Sequence, residues 1–319
     1  MKNDKPFKKK YHDNKGTTSD STFRLNKFVA NAGICSRREA DKLIAQGLVK
    51  VNDVVITEMG FKVGYRDKVE YNNRRIYAET KRYVLINKPK NFITTTIDEK
   101  DRRTVMALIE KACEERLYPV GRLDRNTTGL LLLTNDGELT KRLTHPSFGV
   151  KKTYHIVLNK ELTDADFLKI KTTGVELEEG IALPDELSWV GEGEDKKEVG
   201  ITIHIGWNRV IRRMFEALDY EVEKLDRVIF GSLTKKNLPR GHWRHLRENE
   251  IIMLKRITRN LDKNEAEVAK HTTKDLGKRR KPNDKQEETD APAKKKPVNR
   301  KKVNTKSSRG YKGKGNKRF

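Results

Sequence analysis

Hydrophobic positions along residues 22–82 change period twice. Leu25, Phe28 and Val29 recur at helical spacing, and Gly33 ends that run. Ser36-Arg37-Arg38-Glu39 has the form of a capping box, with the Ser36 hydroxyl on the third amide and Glu39 reaching back. Ala40, Leu43 and Ile44 continue an apolar stripe, and Gly47 is a natural residue just past a helix end. Val49 and Val51 then alternate with Lys50, which is strand spacing. Asn52-Asp53 supplies a turn into Val54-Val55-Ile56. The pattern predicts two short helices followed by a hairpin.

From residue 82 to 257 the pattern alternates between strand and helix. Tyr83-Val84-Leu85-Ile86 reads as a strand that Asn87-Lys88-Pro89 must stop. Val105 to Glu115 reads as a helix with Met106, Ile109 and Cys113 on one face. Leu130 to Leu133 is a short buried strand closed by Asn135-Asp136-Gly137. Ile201, Ile203 and Ile205 alternate with Thr202 and His204, as in a half-buried strand. Asn208 can cap a following helix whose stripe holds Ile211, Met214 and Leu218. Strands and helices mixed without regular βαβ spacing predict an α+β fold.

Composition adds a partner to this picture. The 319 residues hold 70 Lys or Arg and 46 Asp or Glu, a net charge of +24. That sign points to a polyanion, most simply nucleic acid. Residues 258–319 carry +13 and residues 1–21 carry +3, which leaves +8 for 22–257. The basic runs Lys278-Arg279-Arg280-Lys281, Lys294-Lys295-Lys296 and Arg300-Lys301-Lys302 are separated by Pro, Asn and Gly. Such a segment buries too little apolar surface to offset its ordering entropy. Four regions are expected: a disordered basic 1–21, a small helix-rich module over 22–80, a larger domain over 81–257 and a disordered basic tail over 258–319. The tail is expected to be a non-specific phosphate-binding arm, or otherwise a solubilising segment.

The same survey removes several classes. No apolar run approaches the roughly 20 residues that span a bilayer, so no membrane partner is expected. The basic N-terminus has no apolar stretch behind it and does not read as a secretory signal. Cys35 and Cys113 form no CxxC pair, and the seven histidines form no HExxH set. Disulfides and a metal site are not expected, and reduced thiols suit a cytoplasmic protein. No GxGxxG or Walker loop is present, so no nucleotide cofactor is indicated.

Two clusters carry candidate chemistry. Arg37, Arg38 and Lys42 sit at the start of the second helix, where amide dipoles favour the same anion that their charges do. Gly121-Arg122-Leu123-Asp124-Arg125-Asn126-Thr127-Thr128-Gly129 places a carboxylate between two arginines, directly before an apolar strand. Asp124 can be a loop ion-pair partner, or an ionised carboxylate held ready as nucleophile or base. Spacing alone leaves both readings open.

The stretch RLNKFVANAGICSRREADKLIAQGLVKVND resembles the RNA-binding domain named after small-subunit ribosomal protein four. That family usually has Gly where this chain has Asp53. GRLDRNTTGLLLLTNDG resembles the catalytic loop of pseudouridine synthases of the RsuA branch. YVLINKPKNF, KKTYHIVL and ITIHIGWNRVIRRMFEAL resemble the other motifs of that branch, in the same order. LPRGHWRHLRENE is most similar to the RluB-type large-subunit enzymes.

The resemblance implies a mixed or antiparallel-sheet synthase domain and a cofactor-free isomerisation of one uridine, expected in large-subunit rRNA or a pre-ribosomal particle. It implies Asp124 as the catalytic aspartate, Tyr154 stacked on the flipped uracil and Arg212 paired with the Asp124 carboxylate. Arg122 would enter the RNA stack, Ile211 would pack beneath Tyr154, and Lys152 would contact substrate. Arg24, Lys27, Arg37, Arg38, Lys42 and Lys50 would bind RNA. A monomer is expected. The branch commonly has EGRNRQ where this chain has Ile205-Gly206-Trp207-Asn208-Arg209-Val210. Those departures motivate the alternative of a non-catalytic RNA-binding ribosome-assembly factor.

The charge analysis yields a measurable expectation. Deleting the basic tail weakens RNA affinity and flattens its salt dependence, because each neutralised phosphate contributes roughly 0.7–0.9 to the log–log slope. Filter-binding titrations across a salt series read this, and an unchanged slope makes the tail a solubilising segment.

Overall fold

The structure is a computed structural model and describes residues 22–64 and 66–258. All of these fall in one compact unit. The expectations for 1–21 and 259–319 lie outside the described residues.

The N-terminal module contains β1 (Phe23–Arg24), α1 (Leu25–Asn31), α2 (Arg37–Ala45), β2 (Val49–Val51), β3 (Val54–Val55), β4 (Lys62–Val63), β5 (Val69–Tyr71) and β6 (Arg74–Arg75). The capping box at Ser36 is formed: Glu39 N donates to Ser36 Oγ at 3.3 Å, and Ser36 N donates to Glu39 Oε2 at 2.8 Å. Asn52 and Asp53 both adopt positive φ, 49° and 66°, as a primed hairpin turn requires. Leu25, Val29, Ala40 and Ile44 bury their helix faces against Val49, Val51 and Val69 of the small sheet.

The larger domain begins with β7 (Tyr83–Lys88), α3 (Val105–Leu108), β8 (Tyr118–Pro119), β9 (Thr128–Thr134), α4 (Gly137–Thr144) and β10 (Lys152–Leu158). It continues through α5 (Asp164–Thr172), β11 (Val175–Leu177), β12 (Gly180–Ala182), β13 (Glu186–Trp189), β14 (Glu198–Ile203) and α6 (Val210–Glu216). Then come β15 (Val222–Phe230), β16 (Leu233–Thr234) and β17 (Trp243–His245). Residues 248–258 form a further helical segment.

One mixed sheet runs β13-β14-β10-β15-β9-β7-β17, with β16 on β15 and β8 on β9. Only the β15–β9 pair is parallel among the described strands, through Asp226↔Thr128 and Arg227↔Gly129. The strand period of two distributes β7 and β9 between two cores. Val84, Ile86, Leu131 and Leu133 face one core with Met214 and Phe215 of α6. Leu85, Leu130 and Leu132 face the other with Leu139 and Leu143 of α4.

Three sequence expectations are corrected. The helix expected over Val105–Glu115 stops at Leu108, because Ile109 leaves helical geometry at φ −119°. Ile109 N and Ala112 N then bond three residues back, to Met106 O and Ile109 O, in tight turns. The cap of α6 is Arg209 rather than Asn208, and Arg209 sits in the left-handed region at φ 46°. Thr258, assigned to the tail, is helical and 1% exposed, with its hydroxyl donating to Lys255 O at 3.0 Å. The apolar side of that terminal helix, through Leu254, belongs to the second core.

Gly129 lets the central parallel pair form. Its φ is +102°, and an added Cβ would lie 2.3 Å from Arg227 O and 2.5 Å from Arg227 N. Gly129→Ala therefore forces β9 from β15, and a loss of about 2–4 kcal/mol is expected from overpacking and strained φ. A urea midpoint equal to wild type would contradict this.

Candidate active site

The loop after β8 is built to hold a carboxylate just before the central strand β9. Leu123 is buried and anchors it in the first core. Thr94 Oγ1 donates to Leu123 O at 2.7 Å, and Leu123 N donates back to Thr94 Oγ1 at 3.3 Å. Asp124, one residue on, is exposed.

Beneath it lies Lys88, the last residue of β7, at 0% exposure. Its Nζ donates to Thr127 O at 2.8 Å, Asp124 O at 3.0 Å, Pro89 O at 3.2 Å and Arg125 O at 3.4 Å. Burial lowers its pKa to about 8, against the opposing attraction of Asp124. One ammonium thus gathers the carbonyl of Asp124 and those of Arg125 and Thr127 after it. Reading Lys88 only as a strand terminus missed this role. The available signal was a cation separated only by Asn87 from the apolar run Tyr83–Ile86.

Asp124, Arg122, Lys152, Tyr154, Ile211 and Arg212 all line one open cleft. Tyr154 and Lys152 come from β10, and Ile211 and Arg212 from the first turn of α6. Tyr154 is 8% exposed and belongs to the first core, as does Ile211. Arg122 is exposed. With Asp124 it also borders a second cleft beside Thr95 and Arg102, so the loop forms a ridge between the two. Trp207 and Arg209, in the segment that departs from the RsuA-branch pattern, line the first cleft too.

The expected Arg212–Asp124 pair is corrected. Among the described residues no ion pair within 4.0 Å joins them. Arg212 Nη1 instead donates to Val222 O at 2.5 Å, which draws the guanidinium toward the start of β15. Burial lowers the Arg212 pKa first, and Arg209 adds to this, while Asp124 still attracts it from a distance. Lys152 donates to His204 O at 2.9 Å. Burial and then Arg227 lower its pKa to about 8, with Asp185 opposing.

The N-terminal cations divide. Lys27 and Arg37 line a groove with Lys141 and Arg142 of α4. Leu143 and Thr144, the next two residues and the last of α4, line the cleft of Asp124. Arg24, Arg38 and Lys42 are exposed outside that groove, and Lys50 Nζ donates to Asn73 Oδ1 at 2.8 Å.

A carboxylate, a phenol ring and arginines around one open cleft, with a basic module alongside, outline an enzyme that acts on RNA. Residues 82–217 match the family described as RNA pseudouridylate synthase, and residues 23–69 match the S4 domain. The chain is 40% identical over 234 residues to the ribosomal large subunit pseudouridine synthase B of Bacillus subtilis (strain 168), covering 73% of this chain and 95% of that protein. It is 39% identical over 232 residues to an uncharacterized RNA pseudouridine synthase of Aquifex aeolicus (strain VF5), covering 72% and 93%. A crystal structure of a pseudouridylate synthase superposes with a TM-score of 0.53 at 29% identity, covering 72% of this chain and 99% of that one. This chain belongs to the RNA pseudouridylate synthase family.

Lys88→Met leaves several carbonyls without their donor, so a loss of about 2–4 kcal/mol is expected. The sign with pH follows from its lowered pKa. Between about 8 and 10.5 the unfolded chain binds the Lys88 proton and the folded chain has released it, so the Lys88 contribution to stability increases with pH. Denaturation of wild type and variant at pH 7.5 and 10 should show their difference shifting in favour of wild type. A constant difference would contradict this.

Proposed function

We propose that this protein converts a uridine of large-subunit ribosomal RNA to pseudouridine, with Asp124 as the catalytic carboxylate. The observation that carries this reading is the convergence of Asp124, Tyr154, Arg122, Ile211 and Arg212 on one cleft. The name of the Bacillus subtilis relative supports the choice of substrate.

The reaction breaks the bond from ribose C1′ to uracil N1 and makes one from C1′ to C5, while C5 gives up its proton and N1 gains one. No atoms are gained or lost, so it calls for no redox or energy-supplying cofactor. The target base must leave its stack, at a cost of a few kcal/mol. Tyr154 receives the base, and stacking on an aromatic ring returns about 1–3 kcal/mol. Arg122, exposed on the ridge, fills the space that the base vacates. The detached uracil turns within the cleft, where Ile211 and Trp207 line its wall. Arg212 supplies positive potential near Asp124 without a direct ion pair in this state.

RNA outside the cleft is read by shape and phosphate contacts, through Arg24, Lys27, Arg37, Arg38, Lys42 and Lys50. Residues 22–80 act as the RNA-binding module and 81–257 as the catalytic domain. The protein works as a cytoplasmic monomer. No helix among the described residues is long and apolar enough to cross a membrane.

Asp124→Asn keeps the side-chain volume and removes the charge. Chemical mapping of pseudouridine in bacterial large-subunit rRNA transcripts should show product with wild type and none with the variant. Equal modification by both would end the assignment of Asp124.

A further inference from the structure

Arg227 has no part in the roles assigned so far, yet it lies in the wall of the same cleft. It stands opposite Tyr154 across the β10–β15 ladder. It is 3% exposed. Its Nε donates to Leu130 O at 2.7 Å, and its guanidinium lies 4.7 Å from the Phe230 ring centroid. Its Nη2 is buried with no hydrogen-bond partner among the described residues. Lys152, two residues from Tyr154 on β10, lines the cleft beside it and has a single partner, the carbonyl of His204.

The neighbouring carboxylates are engaged elsewhere. Asp226 accepts from Thr128 Oγ1 and is bound by Lys235 and Arg240. Asp185 is bound by His204 and lies 3.7 Å from Lys151. This wall therefore presents two recessed cations with no carboxylate within ion-pair distance among the described residues, and Asp185 and Asp124 act on it only from further off. A buried, uncompensated cation is unfavourable unless a ligand supplies the charge. The guanidinium fork with free N–H groups matches a tetrahedral oxyanion, and a lysine beside it adds a point charge. A uridine nucleotide carries one permanent negative charge, on its phosphate. The neutral uracil carbonyls would leave both cations uncompensated.

We propose that Arg227 and Lys152 together bind one phosphate of the RNA strand that carries the flipped uridine. The site fixes the nucleotide by its backbone while Tyr154 receives its base. This rests on the reading of the cleft as the seat of a flipped uridine.

The test uses the full chain and a bacterial large-subunit rRNA transcript, with affinity measured across a salt series. Lys152→Met and Arg227→Met should each weaken binding and reduce the log–log salt slope by about 0.7–0.9, the contribution of one phosphate. The double variant should show the same reduction, because both residues serve one phosphate. Unchanged slopes in the single variants, or a double variant with about twice the reduction, would overturn the proposal. Circular dichroism melts establish folding, and Arg227→Gln, which retains a donor for Leu130, replaces Arg227→Met if that variant does not fold. Pseudouridine mapping on the same transcript with wild type separates the two readings. Absence of product there rejects the isomerase, whereas the slopes report on the phosphate site alone.

Discussion

The Lys88 ammonium holds the active-site loop to the sheet. Four carbonyls point at one buried nitrogen, three of them from the loop residues Asp124, Arg125 and Thr127. Each hydrogen bond is modest by itself. Together they convert a polar loop into a rigid extension of β7. The carboxylate of Asp124 can then be exposed without being mobile, since its own backbone carbonyl is one of the acceptors. Thr94 completes the clamp from the other side, through Leu123. Burying this cation is unfavourable in isolation, and the lowered pKa records that.

The central sheet turns this clamp into a site. β9 follows the loop directly, and its parallel pairing with β15 sets Arg227 beside Gly129. β10 lies on the other side of β15 and presents Lys152 and Tyr154 to the same space. α6 closes the cleft with Ile211 and Arg212, and its entry is a strained Arg209 in the left-handed region. α4 connects this cleft to the N-terminal module, since residues within 137–142 line one groove and Leu143 and Thr144 line the other. The module itself is tied down by Glu79 N donating to Asn31 O at 2.9 Å. The basic groove and the catalytic cleft therefore belong to one framework.

Local features were legible where their physics is local. The Ser36 capping box needs only four consecutive residues, and it formed as read. The Asn52-Asp53 turn is equally local, because both residues tolerate positive φ. The six expected site residues of the catalytic domain could be named by resemblance, and they share a cleft. Misreadings arose where distant contacts compete with a local pattern. The stripe of Met106, Ile109 and Cys113 suggested a long helix, but burial of Ile109 and Ala112 favours tight turns. The pairing expected between Arg212 and Asp124 gave way to the Val222 carbonyl, ten residues further along.

Charge shows the same division between chain and fold. The sequence alone determined that most of the +24 lies in flanking segments and that the chain suits a polyanion, because charge is additive along a chain. It also determined the uninterrupted apolar run of Leu130 to Leu133 and hence a short buried strand. Only the tertiary structure decided which cations are compensated. Lys88 and Arg227 both follow or interrupt apolar strand residues, and nothing local distinguishes them. One meets three carbonyls of a loop some 40 residues away and that of its own neighbour Pro89. The other reaches the carbonyl of Leu130 and leaves Nη2 without a partner. Which acceptors lie within hydrogen-bond reach depends on strands paired across about a hundred residues. That information exists only when the sheet has closed.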